Sequence, residues 1–368
     1  MIALAVLIFT VPKFHEKMQI ERSHMKRLIF RLSSLGDLIL SQAVLEPPYA
    51  GETHWVVATE FHGLLLGNPK VTKVWDFDRK TAGGLVAWLR FLVMLRSQGF
   101  TEILDLHSSH RTWIARFYFK VFAPATRWRK ISKERFRRIG YEVFKRNWPA
   151  SFRPTHFARK CALLGGGYGN ERPNLRWIFG NTSPDVSGRS RIAVVPASAW
   201  RGKEWPTERY LEWMKRNAQA SHDELVLLGT ASDRAAIALR DALRREGVSF
   251  VDGIGKYPLP DLARMLSECT SVVGSDTGLL HLAEAVGVPV VTLFGPTRAD
   301  FGFGPMDEKS KPVQTSLWCS PCSKDGTLCF RPVNRYECLR QIDASAVEAA
   351  VHSILPQRKT STAELGTL

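Results

Sequence analysis

The stretch SVVGSDTGLLHLAEAVGVPVVTLFGPT, residues 271–297, contains the strongest fold signal in this chain. An apolar run comes first, followed by the turn GSDTG at residues 274–278, a helical segment, and a β-rich run over Val288–Phe294. Two buried parallel strands joined by a helix explain this pattern. The turn would leave hydroxyls and free backbone N–H groups at a helix N-terminus, where a phosphate binds well. The stretch therefore predicts an anion-binding site in an α/β sheet.

The helical segment after the turn carries one more polar side chain that could reach this site. His281 lies four residues after Thr277, so the two side chains share a helix face. The sequence DTGLLHLAEAVGVPVVTLFGPT closely resembles the nucleotide-sugar-binding signature of the heptosyltransferases, the lipopolysaccharide core glycosyltransferases grouped as glycosyltransferase family nine. That resemblance implies an enzyme of the GT-B architecture, in which two Rossmann-like, doubly wound α/β domains face an interdomain cleft.

Length and composition agree with a globular protein of two domains. The chain has 368 residues, of which 45% are hydrophobic and 23% are charged, so each half can bury a core of its own. Lys and Arg number 51 against 35 Asp and Glu, which gives a formal net charge of +16. Such a surplus favours an acidic partner: nucleic acid, an anionic membrane face or a phosphorylated substrate.

Strand and helix patterns alternate along most of the chain. A first series begins at Lys26–Leu32, a second begins at Ile192–Pro196, and the loop between them, Asn170–Arg191, is rich in Pro, Asn, Ser and Gly. This alternation is typical of parallel, doubly wound sheets. We predict an N-terminal domain over residues 25–180 and a C-terminal domain over 190–356, which the resemblance assigns to the acceptor and to the nucleotide sugar.

Both ends of the chain are expected to lie outside these domains. The first residues, MIALAVLIFTV, are too few to span a bilayer, which takes about 20 residues. They lack a basic start and are followed by a polar stretch instead of a small-residue cleavage site. We therefore expect residues 1–24 to be an extension, residues 357–368 to be a flexible tail, and the protein to stay in the cytoplasm.

Asp37 is the first candidate for a chemical role. It follows a strand and the turn Ser-Ser-Leu-Gly, at the start of a predicted helix, where an acid can simply cap the helix or stabilise its dipole. The sequence RLSSLGDLILSQAVL, however, resembles the family's N-terminal signature. The resemblance implies that Asp37 is the catalytic base, which takes the proton from the acceptor hydroxyl as that hydroxyl attacks the anomeric carbon.

The loop PASAWRGKEWP, residues 196–206, is the second candidate. A solvated loop with Pro at the first helical turn would explain it equally well. Its form resembles the family's phosphate-binding loop, in which a hydroxyl residue and a lysine contact the diphosphate, and Ser198 and Lys203 occupy those positions. Lys203 would then neutralise the charge on the leaving nucleoside diphosphate, a role that a metal plays in other transferases. No metal or other cofactor is expected.

The remaining donor-binding candidates lie in the second domain. Gly278 would let backbone approach a phosphate, and Thr277 would donate its hydroxyl. We expect His281 to contact phosphate by resemblance, although a buried core histidine fits the sequence as well. Since a carboxylate beside a diphosphate would repel it, Asp276 is expected to bind sugar hydroxyls or to fix the turn as a helix N-cap. Asp233, after a strand end, resembles a residue that accepts hydrogen bonds from the ribose.

Two patterns could indicate metal binding. Asp76 and Asp78 form a D-x-D at a strand end, where two carboxylates could hold a divalent cation, but a solvated strand end explains them better. The spacing Cys319-x2-Cys322-x6-Cys329-x8-Cys338 leaves three alternatives open: free thiols, a structural zinc site or a disulfide. Free thiols are favoured, because the second pair is spaced more widely than in usual zinc sites.

The basic, aromatic-rich segment Arg127–Lys160 could bind nucleic acid, a membrane or an acidic acceptor, or could be a solvated face. It contains no known nucleic-acid motif. The resemblance favours a phosphorylated, lipid-A-linked inner-core acceptor at the anionic inner membrane.

We therefore predict an inverting, metal-independent transferase that uses ADP-heptose, acts as a monomer and works peripherally at the cytoplasmic membrane face. The alternatives are a GT-B transferase for another nucleotide sugar, and a non-catalytic protein that only binds a nucleotide sugar.

Overall fold

The computed structural model describes residues 25–78, 84–180, 190–221, 223–327 and 329–355. The predicted N-terminal extension, 1–24, and the predicted tail, 357–368, lie outside these residues, and so does part of the predicted linker. Within the described ranges, no helix is both long enough and apolar enough to cross a membrane.

The first half of the chain forms a five-stranded parallel sheet in the order β3-β2-β1-β4-β5. Its strands are β1 Lys26–Phe30, β2 Glu52–Ala58, β3 Lys73–Phe77, β4 Glu102–Asp105 and β5 Arg127–Lys130. Its α-helices are α1 Leu35–Ser41, α2 Leu85–Arg96, α3 His110–Phe122, α4 Arg135–Phe144 and α5 Phe157–Gly165. The last residue of β1, Phe30, pairs with Val56 and Asp105 on its two neighbours. The loops after these strands therefore meet at one carboxyl edge, where ligands bind in such sheets.

The second half forms a six-stranded parallel sheet in the order β11-β10-β9-β6-β7-β8. Its strands are β6 Arg191–Val195, β7 Glu224–Leu227, β8 Val251–Asp252, β9 Ser271–Ser275, β10 Val290–Phe294 and β11 Lys311–Gln314. Its α-helices are α6 Thr207–Ala220, α7 Arg234–Arg245, α8 Leu259–Ser267, α9 Gly278–Ala285, α10 Glu337–Arg340 and α11 Ala344–Ile354. The stretch 271–297 supplies β9, α9 and β10, and β9 pairs in parallel with both β6 and β10. The predicted pair of parallel α/β sheets is confirmed.

Individual elements differ from the sequence predictions where the hydrophobic pattern is weak. Strand β5, with the sequence RWRK, was not predicted as a strand, because an edge strand needs no apolar face. The sequence predicts a first helix over Leu38–Leu45, whereas the α-helix already begins at Leu35 and a 3-10 turn at Gln42–Leu45 follows it. The sequence predicts a core stripe on the helix over residues 84–98, with membrane contact as the lesser possibility, from the helical spacing of Leu85, Trp88, Leu89, Leu92 and Leu95. Leu85 is not part of this stripe in the structure, because 58% of its surface is exposed. Trp88, Leu92 and Leu95 do fill that stripe.

The segment between the two sheets is tied to the second half by polar contacts. The Tyr141 hydroxyl donates to Asp300 at 2.7 Å, and Arg153 forms an ion pair with the same carboxylate at 2.6 Å. The Nε2 atom of His156 donates to the Gly304 carbonyl at 2.9 Å, while its Nδ1 accepts from the Ala158 amide at 3.3 Å. Because Nδ1 can accept a hydrogen bond only when it carries no proton, the His156 ring that makes both bonds is neutral.

We expect His156 to make the stability of the fold depend on pH. Burial lowers the pKa of His156 to about 4. The unfolded chain takes up this proton near pH 6.5, so between pH 6.5 and 4 the unfolded state binds more protons and stability falls as the pH falls. The full effect is about 3 kcal/mol. Denaturant titrations at pH 7.5 and 4.5 should show a smaller loss for His156→Gln than for the wild type. The exposed His352→Gln is the control, and an equal loss in all three proteins would contradict the assignment.

Candidate active site in the interdomain cleft

A cavity of about 220 Å³ lies between the two halves. Its lining residues come from both halves and include every predicted catalytic or donor-binding residue except Asp233. The predicted residues that line it are Asp37, Ser198, Lys203, Asp276, Thr277, Gly278 and His281. The lining residues that the sequence did not reveal include Ser34, Trp200, Thr297, Arg298, Phe301, Phe303, Lys324 and Asp325. Asp233 is absent from this lining.

Asp37 lies in the first turn of α1, on the N-terminal wall of the cavity. Its carboxylate forms an ion pair with Arg31 and accepts a hydrogen bond from the Ser34 hydroxyl at 3.3 Å. Arg31 is itself buried and donates to the Leu106 carbonyl at 2.6 Å. The Asp37 side chain keeps 29% of its surface exposed, so one part of the carboxylate is held and another faces the cavity.

Lys203 and Asp276, from the second half, form a nearly buried ion pair that lines the same cavity. The Lys203 ammonium lies 2.8 Å from Oδ2 of Asp276, and the Thr297 hydroxyl donates to the same oxygen at 3.0 Å. Of the two roles predicted for Asp276, the helix N-cap is wrong, because Thr277 occupies the N-cap position of α9. The contact of Asp276 with sugar hydroxyls stays a prediction. Asp276 instead balances the charge of the lysine. The Thr277 hydroxyl makes no capping bond, so it can serve a ligand.

Ser198 connects the two loops of this wall. Its hydroxyl donates to the Asp276 carbonyl at 3.2 Å, and its backbone N–H donates to Glu204 at 3.2 Å. His281 follows on α9 and also lines the cavity. Burial lowers the pKa of His281, and the carboxylate of Asp276 partly opposes this shift. A neutral imidazole has one N–H to donate and one nitrogen that accepts, which suits contact with a phosphate oxygen.

Two glycines allow the two halves to approach each other at the cavity. Helices α1 and α9 pack together, and a Cβ atom on Gly278 would lie 2.7 Å from the Gly36 nitrogen. A Cβ on Gly36 would lie 3.2 Å from the Gly278 Cα and 3.0 Å from a His281 ring carbon. The first of these contacts is with backbone, which cannot move aside as a flexible side chain can. The sequence suggested close approach to a phosphate for Gly278, and the structure adds close approach between domains.

We expect Gly278→Ala to separate the walls of the cleft. A shift of about 1 Å at a catalytic site can reduce the rate by about 10²-fold, so kcat/KM should fall by at least tenfold. Steady-state kinetics and the melting temperature would be measured together. Gly84→Ala is the control, because a Cβ at Gly84 meets no atom within 4 Å. Full activity of Gly278→Ala would show that the approach of the two helices is not needed for turnover.

Cations surround Asp37 in the cavity. Lys324 lines the cavity from the cysteine-rich loop, and burial, reinforced by the nearby Arg138 guanidinium, lowers the pKa of Lys324. The buried Nε of Arg138 has no hydrogen-bond partner. The sequence placed Arg138 in a generally basic segment and gave no reason to single out Lys324. Both are suited to an anionic group on a ligand that approaches Asp37.

Residues 126–329, more than half of the chain, match the family model for glycosyltransferase family 9 (heptosyltransferase). This chain belongs to glycosyltransferase family 9. It is 23% identical over 333 residues to lipopolysaccharide heptosyltransferase 1 of Pseudomonas aeruginosa, covering 84% of this chain and 88% of that relative.

Solved structures of heptosyltransferases share the fold. The structure of Escherichia coli ADP-heptose lipopolysaccharide heptosyltransferase II has a TM-score of 0.65 at 18% identity, over 90% of this chain and 98% of that one. E. coli heptosyltransferase WaaC with ADP-2-deoxy-2-fluoro heptose has a TM-score of 0.62 at 18% identity, over 89% and 99% of the two chains. The predicted GT-B fold of a heptosyltransferase-family enzyme is confirmed.

Asp233 of this family 9 chain lies outside the cavity wall. It is the N-cap residue of α7, and its carboxylate accepts from the Thr230 amide at 2.6 Å. Burial raises the pKa of the neighbouring Glu204, and the charge of Asp233 adds to this rise. The backbone hydrogen bond from Ser198 and the charge of Arg201 oppose it. The ribose contact of Asp233 stays a prediction. Asp76, in the D-x-D pair, forms an ion pair with His62 and is not among the residues that line the cavity.

The four clustered cysteines of the family 9 chain are free thiols. Burial, with nearby Cys319, raises the pKa of Cys322 to about 11, and burial raises that of Cys338 to about 12. Among the described residues, no group of three or more His, Cys, Asp or Glu side chains is arranged to hold a metal ion.

Proposed function

We propose that this chain is an inverting, metal-independent heptosyltransferase that moves heptose from ADP-heptose to an inner-core lipopolysaccharide acceptor. One observation carries the proposal: Asp37 from the first half and the group of Lys203, Thr277 and His281 from the second half line one cavity. A base facing a phosphate-binding wall is the arrangement that sugar transfer from a nucleotide sugar needs. Two comparisons support the choice of substrates. The relatives are named as lipopolysaccharide heptosyltransferases, and the WaaC structure contains an ADP-heptose analogue.

The donor diphosphate would lie at the N-terminus of α9. Backbone N–H groups and the free Thr277 hydroxyl are available there, and Gly278 leaves room for the phosphate. Lys203 would share its charge between Asp276 and the diphosphate, and Arg298 lines the same cavity. These cations stabilise the negative charge that develops on the leaving ADP, which is the work a metal would otherwise do. The indole of Trp200, at the rim, offers an apolar surface to the nucleoside or sugar.

Asp37 would act on the acceptor. As the acceptor oxygen forms its bond to the anomeric carbon, the bond from that carbon to the diphosphate oxygen breaks, and the hydroxyl proton passes to Asp37. A single displacement from the face opposite the leaving group inverts the anomeric centre. The ion pair with Arg31 and the bond from Ser34 would hold the carboxylate in one orientation for this transfer. Closure of the cleft would exclude water, so transfer outruns hydrolysis of the donor.

The acceptor side favours an anionic molecule. Lys324 and Arg138 lie beside Asp37, and burial, reinforced by Arg135, lowers the pKa of nearby Lys133. This surplus of cations fits the phosphates of a lipid-A-linked inner core. We further propose that the enzyme works as a monomer at the cytoplasmic face of the inner membrane, where such an acceptor is presented.

Incubation with ADP-heptose and truncated core acceptors, followed by mass and NMR analysis of the product, tests the proposal directly. We expect one added heptose with inverted anomeric configuration, and full activity in the presence of a chelator. Calorimetry with ADP, UDP and GDP separates the donor alternatives. Preference for UDP or GDP would favour a transferase of another sugar, donor binding without turnover would favour a non-catalytic protein, and no binding would refute the donor site.

A further inference from the structure

Two neighbouring helices of the first half expose many large apolar side chains to solvent. On α2 these are Leu85, Val86, Val93 and Met94, and on α3 they are Trp113, Phe117, Val121 and Phe122. Each has between 41% and 69% of its surface exposed. We call this surface the α2–α3 face. A large apolar patch exposed on the surface of a soluble protein marks an interaction site.

The apolar side chains are arranged in stripes on a single surface. Trp113, Phe117 and Val121 are spaced by four residues, so they lie along one side of α3. The two helices are joined at both ends of their contact. The Trp88 indole donates to the Arg111 carbonyl at 3.0 Å, and the Arg96 guanidinium lies 5.7 Å from the Phe122 ring centroid. The exposed residues therefore form a continuous face.

The charges on this face have one sign. Neither α2, with the sequence LVAWLRFLVMLR, nor α3, with the sequence HRTWIARFYFKVF, contains an Asp or a Glu. The basic residues of the two helices are Arg90, Arg96, Arg111, Arg116 and Lys120. A helix surface that mixes Trp, Phe and aliphatic residues with Lys and Arg is suited to the boundary between lipid headgroups and acyl chains.

We propose that the α2–α3 face docks on the surface of a bilayer that contains anionic phospholipid. Lipid headgroups would neutralise the cations, and the acyl region would take up the aromatic and aliphatic side chains. A second copy of the chain fits less well, because two such faces would bring cations against cations. Nucleic acid would neutralise the charge but would leave Val86, Val93 and Met94 in water.

The position of the face connects it with the proposed reaction, on which this inference rests. Trp113 and Arg116 also line a second cavity, of about 450 Å³, together with Asp105, Ser108 and Lys133. This cavity lies at the carboxyl edge of the first sheet, the edge on which Asp37 lies. Docking through α2 and α3 would thus bring a lipid-borne acceptor up to the open end of the cleft.

Sedimentation with vesicles tests the docking surface without any turnover. The wild type should bind vesicles of phosphatidylglycerol and phosphatidylcholine, bind pure phosphatidylcholine weakly, and release at high salt. Trp113→Ser with Phe117→Ser should reduce binding to the anionic vesicles by about tenfold or more, since two exposed aromatic anchors are lost. Arg116→Glu with Lys120→Glu should reduce it similarly. Trp318→Ser with Phe330→Ser is the matched control, because these aromatics are 74% and 70% exposed on the second half.

Circular dichroism and ADP affinity would show that each variant is folded. Equal vesicle binding by the control and the α2–α3 variants would overturn the inference, and so would a wild type that transfers heptose but does not bind anionic vesicles. A wild-type dimer that the Trp113 and Phe117 changes convert to a monomer would also overturn it, because the face would then be an interface between copies. Vesicle binding by a protein that transfers no heptose would refute the proposed function and leave the docking surface standing.

Discussion

Asp37→Asn should lower kcat by about 10²–10⁴-fold, the range that a general base contributes. Asparagine keeps the size of the side chain and can still accept the bond from Ser34, but it cannot take up the acceptor proton. The proposed donor pocket is formed by residues of the second half, so ADP affinity should stay nearly unchanged. Steady-state transfer assays and calorimetry with ADP would be run on the same preparations.

The ion pair with Arg31 requires a separate control for Asp37→Asn. Removing the charge leaves the buried guanidinium with the Leu106 carbonyl as a remaining partner, so the unfolding free energy of the variant is measured together with its turnover. Asp76→Asn is the matched variant, since Asp76 is also a paired carboxylate of the first half but lies outside the cavity. Asp76→Asn should retain its turnover. Retained turnover of a folded Asp37→Asn protein would refute the role of Asp37 as base.

Lys203→Met should lower kcat by about 10²–10³-fold, the cost of removing one group that stabilises developing charge. ADP affinity should fall as well, because the Asp276 carboxylate would be left without its 2.8 Å partner beside the diphosphate. The change therefore removes a favourable charge and uncovers an unfavourable one. Transfer kinetics and ADP calorimetry measure the two effects separately.

The double variant Lys203→Met with Asp276→Asn separates these two contributions. If the lysine itself stabilises the leaving diphosphate, the double variant should regain part of the ADP affinity and little of kcat. Full recovery of kcat would mean that Lys203 only neutralises Asp276, which would contradict its proposed role. Lys215→Met is the control, since Lys215 pairs with Glu246 on the exposed surface at 2.7 Å and should be neutral for activity.

The sequence located most of the cavity because the relevant residues follow strands. In a parallel sheet the loops after the strands meet at one edge, so turns such as those before Asp37 and at residues 276–278 could be assigned to a common site. Residues that do not follow a strand carry no such signal in the sequence. Lys324 lies in the cysteine-rich loop, and Arg138 is one cation among many in a basic segment.

The α2–α3 face shows a second limit. Periodicity correctly predicted that Trp88, Leu92 and Leu95 face the core, but it also placed Leu85 there. A hydrophobic side chain on a helix can face either the core or an external partner, and the sequence pattern alone does not distinguish them. Only the packing of α2 against α3 shows which apolar residues are left on the outside.

The parallel α/β architecture and the turn at 274–278 follow from the sequence, because strand periodicity, helix periodicity and turn chemistry are local properties. Tertiary structure alone decided that Asp276 pairs with Lys203 instead of capping a helix, and that Gly278 must leave room for Gly36. The paired side chains are 73 residues apart, and the two glycines come from opposite halves of the chain. Contacts of this kind depend on how the two sheets pack together, and that geometry is not encoded in any one segment.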